Sequence, residues 1–169
     1  MASIAAERAA RARSADPYRD TDVIDSRAPR VNQGAVALVT ILALILGASW
    51  LVALQALQLI VGLTLGRRFC LACVAYFELV QPRIGEGELE DSRPPRFANA
   101  IGAAVLSAAT IGFLAGVPAL GWALTGLVAA LASLAATTGF CLGCAIHRRI
   151  YGRCEVCDLP GRSAAAASR

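Results

Sequence analysis

Six cysteines fall in three Cys-x-x-Cys pairs, Cys70/Cys73, Cys141/Cys144 and Cys154/Cys157. Two sulfurs three residues apart share one helical turn, where they can form a short disulfide or resolve a mixed disulfide. Metal binding is the competing chemistry. Cys141-x2-Cys144-x9-Cys154-x2-Cys157 has the spacing of a compact zinc knuckle, and Cys70/Cys73 would also supply four thiolates if it met Cys141/Cys144. Either set suits tetrahedral zinc or, less readily, an iron–sulfur cluster. His147, the single histidine, is a substitute ligand in that reading and a solvated side chain otherwise. Buried cysteine also packs as a small hydrophobe.

Flanking charge acts on these thiols in two directions. Arg67 and Arg68 precede the first pair, and His147, Arg148 and Arg149 follow the second, which favours thiolate. Both pairs, however, are expected at the C-terminal ends of membrane helices, where the helix dipole opposes negative charge.

The elements that carry two of the pairs look duplicated. Asp25-Ser26-Arg27-Ala28-Pro29-Arg30 matches Asp91-Ser92-Arg93-Pro94-Pro95-Arg96 at an offset of 66, and Phe69-Cys70-Leu71-Ala72-Cys73 matches Phe140-Cys141-Leu142-Gly143-Cys144 at 71. Such a layout predicts two equivalent halves. Residues 31–66 and 97–147 contain no Asp, Glu, Lys or Arg, within a chain that is 57% hydrophobic. A span needs roughly 20 apolar residues, so the second stretch accommodates two. The first would make an over-long single helix and is better divided near Gly47-Ala48-Ser49-Trp50; the second divides near Gly116-Val117-Pro118, because proline removes a backbone donor.

The expected fold is therefore all-α: four transmembrane helices as a tandem repeat of two hairpins. Its parts are a disordered cytoplasmic tail (1–30), a first hairpin ending in Cys-x-x-Cys (31–73), a cytoplasmic loop (74–96), a second hairpin (97–147), and a cytoplasmic tail with the third pair (148–169). Three spans, with one long tilted helix in the first half, is the alternative. All 16 basic residues are Arg and lie outside the charge-free stretches. The positive-inside rule then puts both termini, the central loop and all cysteine pairs on the cytoplasmic side of the inner (plasma) membrane. Trp50 and Trp122 would mark the opposite interface, or else pack within the bundle.

Several function classes lose ground. The net charge of +4 reflects this orientation and not nucleic-acid binding. Pumps and ion channels carry ionisable groups at membrane depth, and these stretches have none. Gln55 and Gln58 are the polar exception; on an unbroken helix they would share a face with Cys70 and Cys73. Gly126 and Ala129, the equivalent positions in the second half, are small enough to receive them. Interhelical hydrogen bonding or a site for a small neutral solute would employ these amides.

The Asp-Ser-Arg-x-Pro-Arg segments, Gln81-Pro82-Arg83 and Gly139-Phe140-Cys141-Leu142-Gly143-Cys144 resemble a family of actinobacterial integral-membrane proteins grouped as a domain of unknown function. The resemblance covers about residues 25–150. It implies genes placed near thioredoxin-like proteins and sulfurtransferases, and it supplies no activity. With it, the leading expectation is a membrane partner in thiol redox or sulfur transfer, with Cys141 and Cys144 as the reactive dithiol and a soluble thioredoxin-like or sulfurtransferase protein as partner. The alternatives are a noncatalytic membrane module stabilised by cysteine-bound zinc or iron, and a neutral-solute carrier.

Overall fold

The structure, a computed structural model, describes residues 15–151. Cys154, Cys157 and the outer parts of both predicted tails lie outside the described residues. From residue 15 the chain bends into strand β1 (Val23–Asp25) and then helix α1 (Arg27–Leu46). Gly47, at φ 62° in the left-handed region, closes α1, and α2 (Ser49–Thr64) returns. A 3-10 turn (Arg67–Phe69) leads into α3 (Leu71–Ala75), a π-helical turn (Tyr76–Val80) and α4 (Gln81–Ile84). Strand β2 (Leu89–Asp91) precedes α5 (Arg93–Leu114), α6 (Pro118–Thr138) and α7 (Leu142–Tyr151).

The two Asp-Ser-Arg segments find each other. β1 and β2 pair antiparallel, with Val23 opposite Asp91 and Asp25 opposite Leu89. Ser26 N–H donates to the Glu88 carbonyl (2.9 Å) and Ser92 N–H to the Asp22 carbonyl (3.0 Å). Each aspartate then starts a helix: Asp25 Oδ1 accepts from Arg27 N–H (3.0 Å), and Asp91 Oδ1 from Arg93 N–H (2.8 Å). These side chains satisfy amide donors that have no partner within the helix. Consequently α1 and α5 begin four residues before the charge-free stretches, at Arg27 and Arg93.

Among the described residues three helices, α1, α5 and α6, are long and apolar enough to cross a membrane. α2 is apolar but has 16 residues; at 1.5 Å per residue it rises about 24 Å, short of a hydrocarbon core of about 30 Å. The first half thus holds two helices parted at Gly47-Ala48, not one long tilted helix.

α1 packs on α2 and α6, and α5 packs on α3's predecessor α2 and on α6. Their contact faces are made of small residues. Ala37, Ala43, Ala56, Ala103, Ala109, Ala132 and Ala135 are buried, whereas Leu38, Ile45, Leu46, Leu57, Ile111 and Leu114 point outward. A soluble bundle would bury the larger set; here close backbone approach is the packing device, and the outer apolar surface suits lipid. Thr40 and Thr125, both fully buried, donate their hydroxyls to the Val36 and Gly121 carbonyls of the preceding turn (2.7 and 2.8 Å). Trp50 is exposed, while Trp122 packs edge-on against Phe113 with ring centroids 4.7 Å apart.

Gly139 ends α6 at φ 74°, and a side chain there would lie 2.6 Å from the Arg30 guanidinium. That guanidinium sits at the carbonyl end of α6, where positive charge is favoured. Gly139→Val should therefore lower stability by about 1–3 kcal/mol, whereas Gly126→Ala, which meets no neighbouring element within 4 Å, should be neutral or stabilising by up to about 1 kcal/mol. Thermal unfolding of both variants in detergent checks the contrast; equal melting temperatures would contradict it.

Candidate functional site

The described cysteine pairs do not lie at the ends of the long helices. α2 stops at Thr64 and α6 at Thr138; Gly66 (φ 93°) and Gly139 then turn the chain, and each pair opens a new helix. This corrects the sequence expectation. Cys70 caps α3, its Sγ accepting Cys73 N–H at 3.4 Å, and Cys141 Sγ accepts Cys144 N–H at 3.3 Å at the start of α7. The helix dipole now favours a sulfur anion at both places. No unbroken helix joins Gln55 and Gln58 to the cysteines.

All four described cysteines are free thiols. Cys70 and Cys73 differ sharply. The Cys73 thiol donates to Cys70 sulfur, burial opposes ionisation, and the Cys73 and Ala72 amides add support, so that Cys70 is lowered to about 7. Cys73 is pushed well up by that same bond to Cys70, by burial, and by the charge its neighbour would bear, with Arg67 acting against the rise. Cys70 is therefore the more readily ionised of the two sulfurs. A low-pKa sulfur paired with a protonated one is the arrangement of a nucleophile and its resolving partner.

Two clamps hold this turn. Before it, the Arg67 guanidinium donates to the carbonyls of Pro17 (3.1 Å), Asp20 (3.1 Å) and Thr21 (2.7 Å). Burial lowers the pKa of Arg67. After it, the Asp25 carboxylate, 1% exposed, takes the Tyr76 hydroxyl (2.8 Å), Gln81 Nε2 (3.2 Å) and Gly87 N–H (2.9 Å) besides Arg27 N–H. Burial raises the Asp25 pKa, but the Gly87, Arg27, Tyr76 and Gln81 hydrogen bonds outweigh it and hold the group below its ordinary value. Tyr76 is pushed up by burial and by that carboxylate. Gln81 Oε1 is buried without a partner among the described residues.

An amide chain leads from Cys70 into the bundle. Its thiol donates to Asn32 Oδ1 (3.5 Å), Asn32 Nδ2 donates to Asn99 Oδ1 (3.1 Å), and Gln33 Nε2 donates to the same oxygen (3.3 Å). Sequence reasoning missed Asn32, Gln33, Asn99, Asp25 and Tyr76 as site residues. The available signal was the placing of three amides at the threshold of charge-free helices. Of the two glutamines it did select, Gln55 is buried, and Gln58 Nε2 donates to the Phe69 carbonyl (3.1 Å), tying α2 to the cysteine turn. The space beside Gly126 is open, so it does not receive Gln55.

His147 stacks obliquely on Phe97 (centroids 5.4 Å), and Arg68 lies 5.7 Å above the Tyr18 ring. Gly143 presses α7 onto α5, since a side chain there would come within 2.7 Å of Ala98 Cβ. Among the described residues no group of three or more His, Cys, Asp and Glu side chains is placed to hold a metal ion. The zinc-knuckle set needs Cys154 and Cys157, which lie outside the described residues.

These features define a mostly helical protein of membrane-spanning character with helix-capping dithiols at one end. The chain matches the family described as a domain of unknown function (DUF4395) over residues 24–151. It belongs to that family. No curated protein and no solved structure matches it.

The Asp25 hub yields a stability prediction. Tyr76→Phe removes a hydrogen bond to a buried carboxylate and should cost about 1.5–3 kcal/mol. Because folding holds the Asp25 pKa below its ordinary 3.8, the stabilisation is complete above that value and is lost as pH falls through the folded-state pKa. Asp25→Asn should flatten the acid limb of a stability–pH curve measured in detergent; an unchanged limb would assign acid sensitivity elsewhere.

Proposed function

We propose that this protein is a thiol-redox or sulfur-relay component of the inner membrane, with Cys70 as nucleophile and Cys73 as resolving thiol. The observation that carries the reading is the geometry of one capped turn, in which Cys70 Sγ accepts the Cys73 N–H at 3.4 Å; the opposed displacement of the two thiols, Cys70 down and Cys73 upward, accords with it. Cys141 and Cys144 repeat the capping geometry and form a second reactive pair. The partner is a soluble thioredoxin-like or sulfurtransferase protein that exchanges a disulfide or a sulfane sulfur with the exposed side of the Cys70 turn. A multi-pass arrangement, a tandem repeat of two hairpins with four spans, completes the reading; the 16-residue α2 then crosses by local thinning of the bilayer, and the Cys70 and Cys141 turns, both strands and the flanking arginines share one face. That face is cytoplasmic by the positive-inside rule, and a reducing cytoplasm keeps the dithiols available for exchange.

Alkylation by iodoacetamide tests the nucleophile. The rate at Cys70 should rise with pH through an inflection near 7, with Cys73 unreactive over the same range. Cys73→Ser should accumulate a mixed disulfide at Cys70 and Cys70→Ser should not. Equal alkylation of the two thiols, with no trapped species, would remove the redox reading.

Topology has its own test. Reporter fusions after residues 85 and 151 should both read cytoplasmic, and a fusion at residue 48 should read external. A residue-85 fusion on the external side would leave α2 short of a crossing.

A further inference from the structure

The ends of α1, α2 and α5 leave an open-mouthed cavity of about 110 Å³ beside the Cys70 turn. Leu59 and Leu63, from the last turns of α2, form its apolar wall; Asn32 and Asn99 bring amides, and Cys70 and Cys73 bring thiols. Asn99 Oδ1 already accepts from Asn32 and Gln33, whereas Asn99 Nδ2 has no acceptor among the described residues. Asn99 thus brings to the cavity lining an amide whose donor side makes no hydrogen bond among the described residues, near a dithiol at the boundary of an apolar helix bundle.

The lining is mostly apolar, with amides and the Arg67 and Arg96 side chains at its polar margin, so it suits a largely apolar ligand that carries an oxygen acceptor, and the adjacent dithiol has two electrons to give. At about 110 Å³ the cavity is smaller than the roughly 150 Å³ needed to enclose benzene, so a ring enters it edge-first and only part-way from the open mouth, with its substituents and any tail outside. We infer that the cavity binds the ring of a lipid-soluble quinone and that the Cys70/Cys73 dithiol reduces it. This rests on the dithiol reading above and names its electron acceptor.

The step balances. Cys70 thiolate adds to a ring carbon, and the ring takes up one proton. Cys73 sulfur then attacks Cys70 sulfur, forming the S–S bond and breaking the C–S bond, whose electron pair leaves with the ring. The Cys73 proton completes the quinol. Two electrons and two protons pass from dithiol to quinone, and Asn99 Nδ2 donates to the carbonyl oxygen on which charge develops.

The test uses the full chain in lipid nanodiscs, reduced, freed of reductant and mixed anaerobically with decylubiquinone. One quinone should be reduced per Cys70–Cys73 disulfide located by peptide mapping, and Asn99→Leu should slow the reaction about tenfold, the order of one lost hydrogen bond. If the pair closes with glutathione disulfide but not with decylubiquinone, the quinone inference falls and the dithiol reading stands. If it closes with neither, both fall. Quinol formed without a Cys70–Cys73 disulfide also overturns the inference.

Discussion

A buried Asp25 carboxylate organises the cysteine-bearing end of the molecule. A charge removed from water is tolerated only with donors around it, and Asp25 draws its donors from four places: its own helix start, Tyr76, Gln81 and Gly87. Those contacts press the segment from Leu71 to Ile84 against β1 and α1. Tyr76 and Phe77, both about 1% exposed, seal the junction, with Tyr18 and Ile24 over them. Cys70 stands at the head of that segment, so the carboxylate that starts α1 also sets where the thiol lies. Arg67 completes the constraint by binding the carbonyls ahead of β1.

Placement at a helix start changes the chemistry available to the sulfur. At the end of a long helix a thiolate would face carbonyl oxygens and the negative pole of the dipole. As a cap it faces amide hydrogens, and it gains the Cys73 thiol as a further donor. The same contact, together with burial, raises Cys73, so two chemically identical side chains in one turn differ in acidity.

Away from the cysteine turns the bundle is built on shape. Alanine and glycine faces let α1, α2, α5 and α6 approach closely, while leucine and isoleucine face outward. Among the described residues, threonine hydroxyls inside return to their own helices, and the Asn32–Asn99–Gln33 amides join α1 to α5 at the end that holds Cys70. Polar matching is thereby concentrated at the cysteine-bearing end, and the remainder depends on packing.

Much of the architecture was legible in the chain alone. Long charge-free stretches, their interruption at Gly47 and at Gly116-Val117-Pro118, and the paired Asp-Ser-Arg and Phe-Cys-Leu-x-Cys segments are local signals, because hydrophobic length and backbone freedom act over a few residues. The helix-ending role of Gly66 and Gly139 was equally present, but an expectation of continuous helices through the cysteines obscured it. Only the tertiary structure decided that Asp25 is buried, that β1 meets β2, that Asn32 touches both Cys70 and Asn99, and that Gln58 holds the Phe69 carbonyl. Each of these joins residues far apart in sequence, and a carboxylate or amide reads as an ordinary solvated side chain until packing removes its water and supplies another partner.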